Sequence, residues 1–206
     1  MRRVTRILAA ALILALLAAG TAVAEVPTQP PYQQPAYQQP EVTATPAPNA
    51  FRFRDGIRWG MNTMQVKALE TEPMTERSMQ NWSIMMTNGK VLVSMFTADL
   101  IFMFREKKLL MASYEFQQGS ADSFQYLGGA LSSVYGESKE AEPLKIKALM
   151  DAVNPSRYRI ELLTQASQWT AADGTTIYLY YYSKSDFAIT YVSPELGSRI
   201  YQTNGL

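Results

Sequence analysis

Acidic side chains are the groups in this chain best placed to do chemistry, because the sequence contains neither histidine nor cysteine. A Ser-His or Cys-His nucleophile pair is therefore excluded, and so is an ordinary zinc, copper or haem site. What remains open is chemistry by carboxylates, Lys, Tyr, Ser or Thr, or by an oxygen-ligated metal. A carboxylate-dependent glycan hydrolase needs two acids converging in a cleft, one of them with a raised pKa. Asp99, Glu115 and Glu161 read as strand or strand-edge acids, but no spacing brings a particular two of them together. Glu137, Glu140 and Glu142 form a solvated run near a helix end. Asp173-Gly174-Thr175 is too sparse for a calcium loop and reads as a turn. No residue is given a catalytic or metal-binding role on these grounds, and no cofactor is called for.

Recognition is the other chemistry on offer, and it centres on Ile177-Tyr178-Leu179-Tyr180-Tyr181-Tyr182. At period two, Tyr178, Tyr180 and Tyr182 share one face of a strand and Ile177, Leu179 and Tyr181 the other. If Ile177 and Leu179 face the core, the first set forms a tyrosine ladder on an open sheet face. Such a ladder suits protein partners or sugars, since each ring is apolar with a polar tip. The plainer reading is that tyrosine is a favoured strand residue on a half-exposed sheet. Trp59, Trp82 and Trp169 read as core plugs, and Met85, Met86, Met95, Met103 and Met111 as adaptable core filler.

These residues must be positioned by a domain that starts well inside the chain. Arg2, Arg3 and Arg6, an apolar run from Ile7 to Gly20 and the small residues Thr21 to Ala24 read as a secretory signal peptide, residues 1–24, cleaved after Ala24. The apolar run is too short for a bilayer span, so no stable membrane insertion is expected after cleavage, and the protein is expected to be secreted or periplasmic. Without those arginines, 16 basic residues stand against 18 acidic ones, a balance with no electrostatic footprint for nucleic acid. Residues 25–50 are rich in Pro, Gln and Tyr, with the near-repeat Pro31-Tyr-Gln-Gln-Pro35-Ala-Tyr-Gln-Gln-Pro40, and read as a disordered linker. Residues 51–206, about 155 in all, are enough for a single domain held by hydrophobic burial without disulfides.

Within that domain Asn62 and Gln65 form a capping-box pattern that opens a helix to about Glu70, with Val66 and Leu69 inward. Strands are expected at Trp82–Met86, Val91–Thr97, Leu100–Arg105 and Leu109–Phe116, the first two joined by a hairpin turn at Asn88-Gly89. Ser120 caps a helix whose apolar positions are Phe124, Leu127, Leu131 and Val134, ending at Gly136. A weaker helical pattern runs from Leu144 to Val153 and stops at Asn154-Pro155. Strands then return at Arg159–Trp169, Thr175–Tyr182 and Phe187–Ser193, with turns at Asp173-Gly174 and Lys184-Ser-Asp186. This order points to an α+β two-layer sandwich, an antiparallel sheet with helices on one face, composed of two half-domains of similar layout.

Asp55-Gly56-Ile57-Arg58-Trp59-Gly60-Met61 followed by Val66, the meander, the helix ending Leu131-Ser-Ser-Val-Tyr135-Gly136 and the late Trp169 before Asp173-Gly174-Thr175 resemble a loose class of small bacterial exported proteins and lipoproteins. Their domains open with a Gly-Ile-x-Trp-Gly-Met/Thr-Ser motif. The resemblance covers most of Phe51 to Ser193 and implies a fold, with no activity attached; the lipobox cysteine of the lipoprotein members is missing here. In layout alone the chain is similar to exported α+β inhibitors and assembly factors such as the beta-lactamase inhibitory protein, and fold does not imply function. The expectation drawn from all this is an exported, non-enzymatic binding module that uses an open aromatic sheet face to meet a protein or a cell-envelope glycan. The alternatives are the glycan hydrolase above and a purely structural envelope protein.

Overall fold

In the computed structural model, residues 53–79, 81–153, 165–182 and 185–203 are described. The signal peptide, the linker, Glu161, the helix stop at Asn154-Pro155 and the first part of the expected strand at Arg159–Trp169 lie outside them. Helix α1 (Thr63–Leu69) starts as its sequence dictates: the Asn62 side chain accepts from the Gln65 backbone N–H, and the Gln65 side chain accepts from that of Asn62. Strands β1 (Met74–Met79), β2 (Trp82–Thr87), β3 (Val91–Val93), β4 (Phe96–Arg105) and β5 (Lys108–Phe116) follow, then α2 (Ala121–Tyr135). The second half adds β6 (Lys139–Glu140), α3 (Pro143–Val153), β7 (Ala166–Thr170), β8 (Thr176–Tyr181), β9 (Phe187–Val192) and α4 (Pro194–Thr203).

All nine strands join one antiparallel sheet in the order β1-β2-β4-β5-β9-β8-β7-β6, with β3 paired to β4. The expected α+β architecture is therefore present. Each half is a helix followed by antiparallel strands, interrupted in the second half by α3 between β6 and β7, and the halves meet where β5 pairs antiparallel with β9, Met111 opposite Val192 and Phe116 opposite Phe187. That order reads as an approximate two-fold normal to the sheet, an operation that keeps both leading helices on the same face. Val66 of α1 and Phe124, Leu127, Leu131 and Tyr135 of α2 indeed share one buried cluster with Phe102, Tyr114, Leu179 and Tyr191.

The second face differs from the expectation that helices cover only one side. Ile146, Leu149 and Met150 of α3 and Leu196 of α4 are buried against Ile101, Met103, Met111, Tyr178, Tyr180 and Val192. Sequence reasoning missed α4 although its start is legible: the Ser193 hydroxyl accepts from the Leu196 N–H at 3.2 Å, and Pro194 occupies the first helical position, which suits its fixed φ. A register shift between Met103 and Phe104 gives β5 one extra residue. Leu110 and Met111 consequently both face α3 and α4 while Leu109 and Ala112 face α1 and α2.

Three local expectations are corrected. Strand β1 was not anticipated: Met-Thr-Glu-Arg-Ser-Met has no apolar alternation, because this edge strand is exposed over its four central residues, and its charges suit an edge. Asn88-Gly89 is not a hairpin turn. Strands β2 and β3 are both antiparallel to β4, so the chain keeps its direction through Asn88, whose N–H bonds Pro73 O at 2.8 Å and whose side chain meets Thr75 Oγ1. Reversal comes instead at Ser94-Met95, with Val93 opposite Phe96 and Ser94 at a φ of 56°. Finally, Val134 and Leu69, both expected inward, are 43% and 45% exposed; Tyr135 takes the core position in α2.

Helix α2 also carries Gly129 on its outer side, where a Cβ would meet no atom within 4 Å beyond its chain neighbours and the helix's own backbone. Alanine there removes backbone freedom from the unfolded chain without a clash. Gly129→Ala is expected to raise stability by about 1 kcal/mol, seen as a higher denaturant midpoint at unchanged slope.

Candidate functional site

The alternation foreseen for β8 holds, but the face it was meant to open does not exist. Tyr178, Tyr180 and Tyr182 share the side covered by α3 and α4, Tyr178 and Tyr180 being at most 1% exposed and Tyr182 packed against the same cluster. Tyr180 Oη is 3.1 Å from Thr190 Oγ1 and 3.5 Å from Met150 Sδ, and Thr190 continues to Ser113 Oγ at 3.0 Å. On the opposite face Tyr181 stacks on Phe124 with centroids 4.7 Å apart. The ladder is a core element, and the Tyr180 hydroxyl has partners within it. It is one because α3 and α4 close the second face, and its exposure was expected because the pattern of α3 is weak and the start of α4 was passed over.

The acids are rearranged as well. The β4–β5 register sets Asp99 directly opposite Glu115, a meeting that linear spacing could not reveal. Glu115 is fully buried. Asp99 Oδ2 accepts from Lys90 Nζ at 2.6 Å and Gln117 Nε2 at 3.1 Å. Neither acid lines the cavity beside Arg54 and Glu70 or the one beside Glu76 and Glu106.

One cavity, about 370 Å³, lies between Phe53, Arg54, Glu70 and Tyr114. The Arg54 guanidinium grips Glu70 with both its Nε and Nη2, the former at 2.8 Å, and the Glu70 side chain is 2% exposed. Tyr114 donates to Phe53 O at 3.2 Å, and burial pushes its pKa up to about 12. Burial also raises Tyr191 well above 10. Below pH 10 these phenols are protonated folded or unfolded, so their stability contribution is intact. Between pH 10 and about 12 the unfolded chain loses the Tyr114 proton while the folded one keeps it. Stability should therefore fall by about 2–3 kcal/mol across that window through Tyr114. Tyr114→Phe should flatten this part of the alkaline profile in equilibrium unfolding; an unchanged slope would contradict it.

The second cavity, about 540 Å³, is lined by Asn62, Glu76, Asn81, Trp82 and Glu106 among others. Glu76 accepts from Lys67 Nζ at 2.9 Å and Ser83 Oγ at 2.7 Å, and these bonds hold its pKa below the ordinary value. A general acid would need the opposite shift.

What sequence reasoning missed is the tip of the β3–β4 hairpin. Val91, Val93 and Phe96 anchor it in the core shared with α1 and α2. Phe96 meets the ring of Tyr126 edge-on at 5.7 Å, and Ser94 Oγ lies 3.1 Å from Tyr126 Oη. Held this way, the hairpin presents Leu92 at 69% and Met95 at 66% exposure, beside Tyr126 at 46%. The signal was available: an apolar run at both parities, Val91-Leu92-Val93 and Met95-Phe96, must expose some of its members when only one side is packed.

The Gly56–Met61 motif has a structural part. Gly60, at a φ of 82°, donates to Leu109 O at 3.0 Å while Leu109 donates to Met61 O at 2.7 Å, so the motif clasps the bulged stretch of β5. Trp59 Nε1 donates to Thr175 Oγ1 at 2.8 Å, tying the motif to the turn before β8, and Trp169 Nε1 donates to Ser132 Oγ at 3.1 Å. No protein-family model, curated protein or solved structure matches the chain.

Proposed function

We propose that the chain is an exported, non-enzymatic binding module that meets a protein partner through the tip of the β3–β4 hairpin. The observation that carries this reading is the outward display of Leu92 and Met95 on a hairpin that Val91, Val93 and Phe96 anchor to the core. Exposed Leu and Met side chains held on a rigid support can be buried by a partner at small entropic cost. Export is part of the proposal and rests on the basic, apolar and small-residue order of Met1 to Ala24. The tyrosine face is withdrawn as the contact because α3 and α4 cover it.

The test is binding by variants whose fold is intact. Leu92→Ser and Met95→Ser, separately and together, should lose capture of the partner from the native extracellular fraction, while Leu144→Ser on α3 should not; Leu144 is also 59% exposed and serves as the control. Capture that survives the double substitution overturns the reading. A second reading, hydrolysis of a glycan, draws support from the pair Glu76 and Glu106 lining one cavity. It requires that Glu76→Gln abolish release of reducing sugar from envelope polysaccharide.

A further inference from the structure

We infer that Met95 is an oxidant-modified site, converted by hydrogen peroxide to methionine sulfoxide, and that this modification switches off the hairpin contact. The consequence for binding rests on the reading above; the modification itself stands on the geometry alone.

Methionines in this protein fall into distinct environments. Met85, Met103, Met111 and Met150 are at most 5% exposed, and Met61 sulfur accepts from the Arg58 N–H at 3.4 Å. Met95 and Met64 stand apart at 66% and 75% exposure. Peroxide must reach the sulfur lone pair, so a buried thioether reacts only through opening of the core, whereas an exposed one reacts from the native state. The reaction balances without a further reagent. The Met95 sulfur attacks one peroxide oxygen, the O–O bond breaks, the sulfur keeps that oxygen and loses two electrons to the peroxide, and the other oxygen leaves as water.

The position of Met95 gives the product a consequence. It is the second residue of the two-residue turn between Val93 and Phe96, at the apex of the tip. The sulfoxide places a strong dipole where a partner would bury a thioether, and desolvating it without a hydrogen bond opposes binding. Because the side chain already faces water, the fold loses nothing. Met64, on the first turn of α1, oxidises in parallel but lies outside the hairpin. It is the internal control for exposure without contact.

The test treats the full chain with millimolar hydrogen peroxide and follows each methionine by peptide mass spectrometry. Met95 and Met64 should reach half-oxidation at least about ten-fold sooner than Met85, Met103 and Met111, with the melting temperature unchanged. Met95 reacting no faster than Met85 overturns the site. A photo-crosslinking amino acid at Leu92 reads the contact in the same samples. Its adduct should vanish after peroxide, return after methionine sulfoxide reductase with a dithiol, and persist through peroxide in Met95→Leu. An adduct that survives Met95 oxidation overturns the switch while leaving the hairpin contact standing. No adduct even before peroxide removes the hairpin contact and the switch with it, and the oxidation map still decides the site.

Discussion

Tyr180→Ala should cost about 3–5 kcal/mol of stability, the range for deleting a fully buried aromatic ring and leaving a cavity. The ring is 1% exposed, with Ile146, Leu149 and Met150 of α3 in the same cluster, so its loss also unseats that helix. Tyr180→Phe keeps the ring and removes the hydroxyl's contacts with Thr190 Oγ1 and Met150 Sδ, of which Thr190 stays bonded to Ser113 Oγ at 3.0 Å; its cost should be about 1 kcal/mol. Urea unfolding of the pair measures both. Had this ladder been a recognition surface, alanine there would have weakened binding and left stability within about 0.5 kcal/mol, as exposed substitutions do. A small effect of Tyr180→Ala would therefore mean that α3 does not cover β8.

The hairpin tip should show the opposite pattern. Leu92→Ser with Met95→Ser removes two large apolar groups that are 69% and 66% exposed, so the unfolding midpoint should stay where it is. Truncating a central apolar anchor costs about 2 kcal/mol or more of binding, roughly thirty-fold in affinity, and the pair together should abolish capture. Surface-immobilised wild-type and variant proteins compared for retention of the partner measure it. Loss of stability in the double variant would show instead that the tip is packed.

Much of the fold could be read from the sequence because the signals were local. The Asn62–Gln65 box, the Ser120 cap with Phe124, Leu127 and Leu131, and the turn at Asp173-Gly174 are each set by neighbouring residues and lie where expected. What misled was any feature decided by a distant partner. Asn88-Gly89 carries the strongest short hairpin signal, yet β1, a polar edge strand, extends its ladder to Asn88 through Pro73 O, and the turn moves to Ser94-Met95. Leu69 and Val134 have the right helical phase, but α1 is only two turns long and Tyr135 fills the place Val134 was given.

The candidate site was less legible for the same reason. Period two correctly sorted Tyr178 and Tyr180 from Ile177 and Leu179, and period alone cannot say which face remains uncovered. That depended on α3, whose apolar pattern is weak, and on α4, which begins at a Ser-Pro-Glu start after the last strand. Conversely Met95 was read as core filler because methionine usually is, while its place at the apex of a turn was hidden inside what looked like one continuous strand. Asp99 and Glu115 were separated by linear distance and united by the β4–β5 register.

The central claim is that recognition sits on the hairpin tip, and site-specific photo-crosslinking in the cells that produce the protein addresses it most directly. A crosslinking residue at Leu92 should yield a discrete heavier adduct that is absent from the same probe at Leu144, another exposed position, on α3. No adduct at Leu92, or the same adduct at both positions, would contradict it.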